Sequence, residues 1–134
     1  MPSLVSQVPA ADSASALSRF ESAFGFETDC WDVHQSLAHE PDFILIDVRS
    51  PELFARAHVP GAINIPHAKI IAARMANYAP GTLFVVYCSG PHCNGAQRAA
   101  VRLARLGLPV KIMAGGITGW LDEGFGVEGD GVAS

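Results

Sequence analysis

Leu83–Val101 reads LFVVYCSGPHCNGAQRAAV, and this stretch decides the fold. A run of large apolar residues, Leu83–Tyr87, stops at Cys88. A turn with Gly90, Pro91 and a second cysteine, Cys93, follows, and from Gly95 an Ala-rich segment takes helical spacing. Ala96, Ala99, Ala100, Leu103 and Leu106 form one stripe of that helix, and Arg98, Arg102 and Arg105 form another. Gly107 is the expected stop, with Pro109 just beyond. The pattern is strand, loop, helix, with a thiol where the strand ends.

Working outward, Val110–Met113 is a further strand, ending in Ala114-Gly115-Gly116. Ile117–Glu123 is a short helix carrying Trp120 and closed by Gly124. Toward the N-terminus, Phe43–Ile46 is another continuous apolar run, ended by Asp47. Strands read as continuous rather than alternating when helices cover both faces of a parallel sheet. Ser50-Pro51-Glu52 has the residue order of a helix start: a capping hydroxyl, Pro at the first position, an acid in the first turn. Val59-Pro60-Gly61-Ala62 reads as a turn, Ile63 and Ile65 as a brief strand, and Ile70–Tyr78 as a helix broken by Pro80-Gly81. Thr28 or Asp29 can cap a helix through about Ala38, with Trp31, Val33 and Leu37 among its apolar positions. Asp12 or Ser13 can cap an earlier one whose Leu17, Phe20 and Phe24 predict cover for one face of the domain.

Strands interleaved with helices predict an α/β domain with a central, mainly parallel sheet flanked by helices on both faces. The expected division is an N-terminal extension with a short amphipathic helix (1–27), one α/β domain (28–128) and a loose Gly-rich tail (129–134). In such sheets ligands bind beyond the carboxyl ends of the strands. Three of those ends are Asp47-Val48-Arg49, Cys88-Ser89-Gly90 and Ala114-Gly115-Gly116.

The 134 residues carry a net charge of −4 with no basic cluster, which argues against a general nucleic-acid surface. No apolar stretch approaches the roughly 18 residues of a membrane span, and the opening residues lack the basic and apolar regions of a secretory signal. A cytoplasmic location is expected. Three cysteines, Cys30, Cys88 and Cys93, do not make a disulfide framework; in a reducing compartment such residues are filler, metal ligands or catalytic thiols.

A cysteine between a strand end and a helix start faces unpaired backbone N–H groups and the positive end of the helix dipole, and both favour the thiolate. Gly90 and Gly95 let backbone wrap closely around a sulfur or anion. That position makes Cys88 the candidate nucleophile rather than a small buried hydrophobe. Cys93 reads either as a resolving or second reactive thiol or as packing beneath the loop, and Cys30 reads as filler. Arg98, in the first helical turn, opposes the dipole by roughly 0.3–1 kcal/mol unless an anion sits there; the alternative is membership of the solvated arginine stripe. Cys88, His92 and Cys93 form Cys-x3-His-Cys, but His34, His39, His58 and His67 supply no matching pair for a zinc site.

The segments DFILIDVRSPELFARAHVPGAINIP (42–66), VVYC with its loop and Ala-rich helix, and GGITGW (115–120) followed by EGF together resemble the rhodanese (sulfurtransferase) family over roughly 28–128. The resemblance implies a single-domain rhodanese fold in which Cys88 carries a persulfide and passes its outer sulfur to a thiophilic acceptor. The implied partners are a small sulfur donor such as thiosulfate and, as acceptor, cyanide, a cellular thiol or a protein thiol. No metal or organic cofactor is implied. Ser89, Gly90, His92, Cys93, Asn94, Gly95 and Arg98 would form the active-site loop, with Asp47, Arg49 and His58 as supporting framework.

This chain departs from the family pattern in the loop. The usual loop is six residues from the cysteine and often contains Arg; here Cys88–Gly95 spans about eight residues with no Arg or Lys. Counting from Cys93 restores Cys-x4-Arg98, so Cys93 is the second choice of nucleophile. One competing reading is a non-catalytic or redox-sensing module using the Cys88/Cys93 pair. Another is a phosphatase or arsenate reductase on the same fold. That chemistry needs Cys-x5-Arg, whereas nine residues separate Cys88 from Arg98 and four separate Cys93 from it.

Overall fold

The structure is a computed structural model that describes residues 1–131. Five strands form one sheet in the order β1-β5-β4-β2-β3, every pair parallel: β1 (Glu27–Asp29), β2 (Phe43–Asp47), β3 (Ile63–Asn64), β4 (Leu83–Tyr87) and β5 (Val110–Ala114). Among the described residues the α-helices are α1 (Ser13–Ala23), α2 (Cys30–Leu37), α3 (Pro51–Arg56), α4 (Ala72–Met75), α5 (Gly95–Arg105) and α6 (Gly116–Asp122). β4 lies at the centre, so both of its faces are covered, and its side chains alternate between two cores.

Phe84, Val86 and Cys88 belong with Ile46, Val48, Ile65 and Ile70 and with the inner face of α5, Ala96, Ala99 and Leu103. Val85 and Tyr87 belong with Leu45, Val59, Met113 and the apolar faces of α2 and α6, among them Val33, Ile117 and Trp120. The two-residue period of a strand therefore puts the Cys88 thiol on the α5 side because Val86 is there.

The local signals act where expected. Asp12 accepts from the Ser15 N–H, Asp29 from the Asp32 N–H (2.8 Å) and Ser50 from the Leu53 N–H (3.3 Å), and each caps its helix. Gly61 at φ +87° completes the turn that the Ala62 N–H closes onto the Val59 carbonyl. Gly107 ends α5 at φ +75°.

Three expectations are corrected. α1 forms but covers nothing: none of its residues is buried, and Phe20 and Phe24 of its apolar stripe are 69% and 73% exposed. The helix expected over 70–78 shrinks to α4, preceded by a 3-10 turn at His67–Lys69, because Ile70 and Ile71 take extended backbone while Ile70 enters the core. The tail is pinned as far as it is described. The Asp130 and Gly131 N–H groups donate to the carbonyls of Ala55 and Arg56, and residues 132–134 lie outside the described residues. Among the described residues no helix is long and apolar enough to cross a membrane.

Candidate active site

Because all strands run the same way, their carboxyl ends meet on one edge, and the β4–α5 loop stands in the middle of it. Cys88, the first residue after β4, is 6% exposed; Cys93, just before α5, is exposed. The loop folds back so that the two are joined as a disulfide, with Cα atoms 6.4 Å apart. The Cys93 N–H closes a turn onto the Gly90 carbonyl at 3.1 Å, and the Gly95 N–H points at the Cys93 sulfur at 3.4 Å. Gly95 is required by this approach: a Cβ there would stand 2.8 Å from the Cys88 sulfur and 3.4 Å from that of Cys93.

No side chain caps α5. The Asn94 oxygen accepts from Arg98 Nε at 3.3 Å rather than from a backbone N–H. The first N–H groups of a helix have no partner within it, and of those of α5 the Gly95 N–H points at a sulfur.

α6 anchors the other side of the loop. The Ile117 and Thr118 N–H groups donate to the carbonyls of Cys88 (3.0 Å) and Ser89 (2.9 Å), and the Thr118 hydroxyl donates to Ser89 again at 2.8 Å. Gly116, at φ +58°, makes this contact sterically feasible: a Cβ there would run into the Cys88 carbonyl and lie 3.0 Å from the Gly90 nitrogen. The GGITGW segment is thus the seat on which the cysteine loop rests.

A hollow of about 370 Å³ opens beside the cysteines, lined by Val48, Arg49 and Ser50 after β2, by Pro66 and His67, and by Cys88, Ser89, Cys93, Asn94 and Gly95. Arg49 is 8% exposed and forms a two-pronged ion pair with the fully buried Asp47, the closest contact being 2.7 Å; its Nη2 also donates to the Ala57 carbonyl. Burial alone would lower the Arg49 pKa, but the hydrogen bonds and charge of Asp47 outweigh it and hold the guanidinium charged. The pair adds little net charge to the hollow. Asn64 clamps it by donating to the carbonyls of both Asp47 and Arg49.

The structure brings Cys88, Ser89, Cys93, Asn94, Gly95 and Arg49 to one hollow, and it leaves others aside. Gly90 lies on the far side of the sulfurs, against Thr118 and the neighbouring cavity that Cys88 and Cys93 also line. His92 and Arg98 are exposed and line neither cavity. His58 serves the framework: Nδ1 donates to the Phe54 carbonyl at 2.7 Å, its ring stacks on Phe54, and its backbone pairs with Glu128.

Two contributors escaped the reading of sequence. Thr118 sits inside the GGITGW motif, but its hydroxyl partner is 29 residues away in sequence. His67 lines the hollow, and its Nδ1 is buried with no hydrogen-bond partner among the described residues. No periodic signal marked it.

Cys30 is buried, with its sulfur near the carbonyls of Ala114 and Gly116. Burial first, then the charges of Asp29 and Glu123, push its pKa up to about 11. A larger apolar hollow of about 820 Å³, between α2 and the Pro60–Ile63 turn, holds no group that could carry sulfur. Among the described residues no three His, Cys, Asp or Glu side chains converge as metal ligands.

Comparison with known proteins follows the same outline. The family model described as "Rhodanese-like domain" matches residues 31–123. The solved BH2092 protein from Bacillus halodurans is 34% identical, with a TM-score of 0.85 over 90% of this chain and 88% of that one. A protein named "Sulfurtransferase" from Allochromatium vinosum is 30% identical over 102 residues, covering 74% of this chain and 91% of its own length. The "HTH-type transcriptional regulator Rv0324" of Mycobacterium tuberculosis is 41% identical over 85 residues, covering 63% of this chain but only 37% of the regulator.

Proposed function

We propose that this chain, which belongs to the rhodanese-like family, is a sulfurtransferase that carries a sulfane sulfur as a persulfide on Cys88. The observation that carries the reading is the position of Cys88: a thiol at the end of the central strand, beside a hollow and under the uncapped N-terminus of α5. Reduced Cys88 attacks the outer sulfur of a donor. The donor's S–S bond breaks, and its remainder leaves as an anion. The persulfide anion is then held by N–H groups of the loop and the start of α5, at about 1.5–3 kcal/mol for each hydrogen bond to charge. A thiol or cyanide attacks the outer sulfur and restores the Cys88 thiolate.

The weak cationic character of the hollow bears on the donor. Arg49 is neutralised by Asp47, and Arg98 is exposed outside the hollow. A doubly charged oxyanion such as thiosulfate finds little countercharge there, and small organic persulfides, which need less, fit better. The same arrangement leaves oxyanion hydrolysis without an arginine to close the loop around a tetrahedral group.

Intact mass spectrometry of the reduced protein after exposure to donor tests this. A persulfide adds about 32 Da. The adduct should form in the Cys93→Ser variant and be absent from Cys88→Ser. Retention of the adduct in Cys88→Ser and its loss in Cys93→Ser would move the carrier to Cys93.

A second reading, a redox-sensing module without transfer, draws on the disulfide itself. The name of the Mycobacterium tuberculosis relative also places a similar stretch in a regulator. That reading predicts a reversible loss of about 2 Da on mild oxidation and negligible sulfur transfer with every donor.

A further inference from the structure

A sulfur carrier needs one thiol, and this loop brings a second one to bonding distance. Cys88 is buried at the foot of the hollow and Cys93 is exposed at its rim. The loop closes on itself through the Cys93–Gly90 hydrogen bond, and the contact of Gly95 with both sulfurs leaves no side chain between them. α6 holds the Cys88 and Ser89 carbonyls while Cys93 rides on the free side of the loop. A persulfide formed on Cys88 therefore has an internal nucleophile within reach of its inner sulfur, before any outside acceptor arrives.

We propose that Cys93 resolves the Cys88 persulfide, so that the protein releases the sulfane sulfur as sulfide and ends the turnover as the Cys88–Cys93 disulfide. The inference rests on the sulfurtransferase reading with Cys88 as carrier. In the step, the Cys93 thiolate attacks Cys88 Sγ, and the new bond joins the two Sγ atoms. The bond between Cys88 Sγ and the outer sulfur breaks, and the outer sulfur leaves with the electron pair and takes up one proton from solvent, as HS⁻. The two cysteines are oxidised by two electrons, and the sulfane sulfur is reduced by two.

The thiolate of Cys93 forms by loss of a proton to solvent, to which its exposed position opens it. An external dithiol reductant then returns the disulfide to two thiols and is itself oxidised to a disulfide. The activity is that of a dithiol-dependent persulfide reductase, and the disulfide in the structure is its oxidised resting form.

The test loads reduced wild type, Cys93→Ser and Cys88→Ser with inorganic polysulfide, removes the excess, and supplies no thiol or cyanide. Wild type should release about one equivalent of sulfide per chain. Its mass should settle about 2 Da below the reduced form rather than about 32 Da above it. Cys93→Ser, altered at an exposed position, should keep the adduct and release sulfide only when a dithiol is added.

Wild type that keeps its adduct and releases nothing overturns the proposal while leaving Cys88 as a sulfur carrier. An adduct on Cys88→Ser but not on Cys93→Ser overturns it by reversing the roles. No adduct on any of the three overturns the sulfurtransferase reading and this inference with it.

Discussion

At the β1–α2 junction, Asp29 is the last strand residue and Cys30 the first helical one. At the β4–α5 junction, Cys88–Asn94 stand between strand and helix. Both junctions lie on the same edge of one parallel sheet, and each puts a cysteine at the start of a helix. The direct junction buries its sulfur against the carbonyls of Ala114 and Gly116, and the thiol becomes a weaker acid. The looped junction turns its sulfurs toward a hollow and toward each other. A helix N-terminus alone does not activate a thiol, because burial can outweigh the dipole. Loop length decides, since extra residues make room for a ligand and expose one of the two sulfurs.

The sharpest way to break this contrast is to exchange the thiols' fates. Cys88→Ser should reduce single-turnover sulfur transfer by roughly a thousandfold or more, since a hydroxyl is a far poorer nucleophile at neutral pH. Cys30→Ala should leave the rate within about twofold, and its effect should appear in stability instead, about 1 kcal/mol in a denaturant titration. A large rate loss in Cys30→Ala would mean that the buried junction reaches the chemistry.

Next in size is the seat beneath the loop. Gly116→Ala places a Cβ against the Cys88 carbonyl at a positive φ and should cost about 2–4 kcal/mol. Gly124→Ala meets the same backbone penalty at φ +79° with open space around it, and should cost only about 1–2 kcal/mol. Equal losses in equilibrium unfolding would show that φ alone matters and that the loop contact is dispensable.

The acidity of the two junctions gives a smaller and more selective signal. The folded Cys30 pKa lies above its ordinary value of 9.0, at about 11, so the folded protein holds a proton that the unfolded chain has released. That stability is present below pH 9 and is lost as pH rises through 11. The pH slope of the unfolding midpoint in that window should flatten in Cys30→Ala. In the same reduced protein at pH 8, a thiol of pKa about 11 is ionised in about one molecule in a thousand. Iodoacetamide should therefore label Cys93 first and Cys30 only on unfolding. Early labelling of Cys30 would erase the distinction.

The smallest expected effect is at Thr118. Thr118→Val removes one hydrogen bond to the Ser89 carbonyl while the backbone N–H keeps its own, and should cost about 0.5–1 kcal/mol. If the loop depends on that tether, sulfur transfer should also slow by a few-fold, and a lowered unfolding midpoint with an unchanged rate would make the tether dispensable to the chemistry.

Much of this was legible locally. The apolar runs marked β2, β4 and β5, and Asp12, Asp29 and Ser50 marked helix starts, because strand periodicity and capping are short-range effects. β1 was missed because Glu-Thr-Asp carries no apolar run; it is a strand only through its pairing with β5. The apolar stripe of α1 predicts cover, but amphipathicity names a face and not what meets it. His67 was invisible for a related reason: a lone histidine has no pattern, and only the return of the chain over β2 brings it to the hollow.

By itself the sequence determined the parallel α/β arrangement and a thiol at the end of a buried strand, whereas the sheet order made that strand central and the packing turned the thiol toward α5. The tertiary structure alone decided how the longer loop is used. Cys93 could have packed beneath the loop or stood beside Cys88, and five residues of separation permit either. The choice depends on contacts distant in sequence, Gly116 and Thr118 holding one side of the loop while Gly95 lets the sulfurs meet on the other.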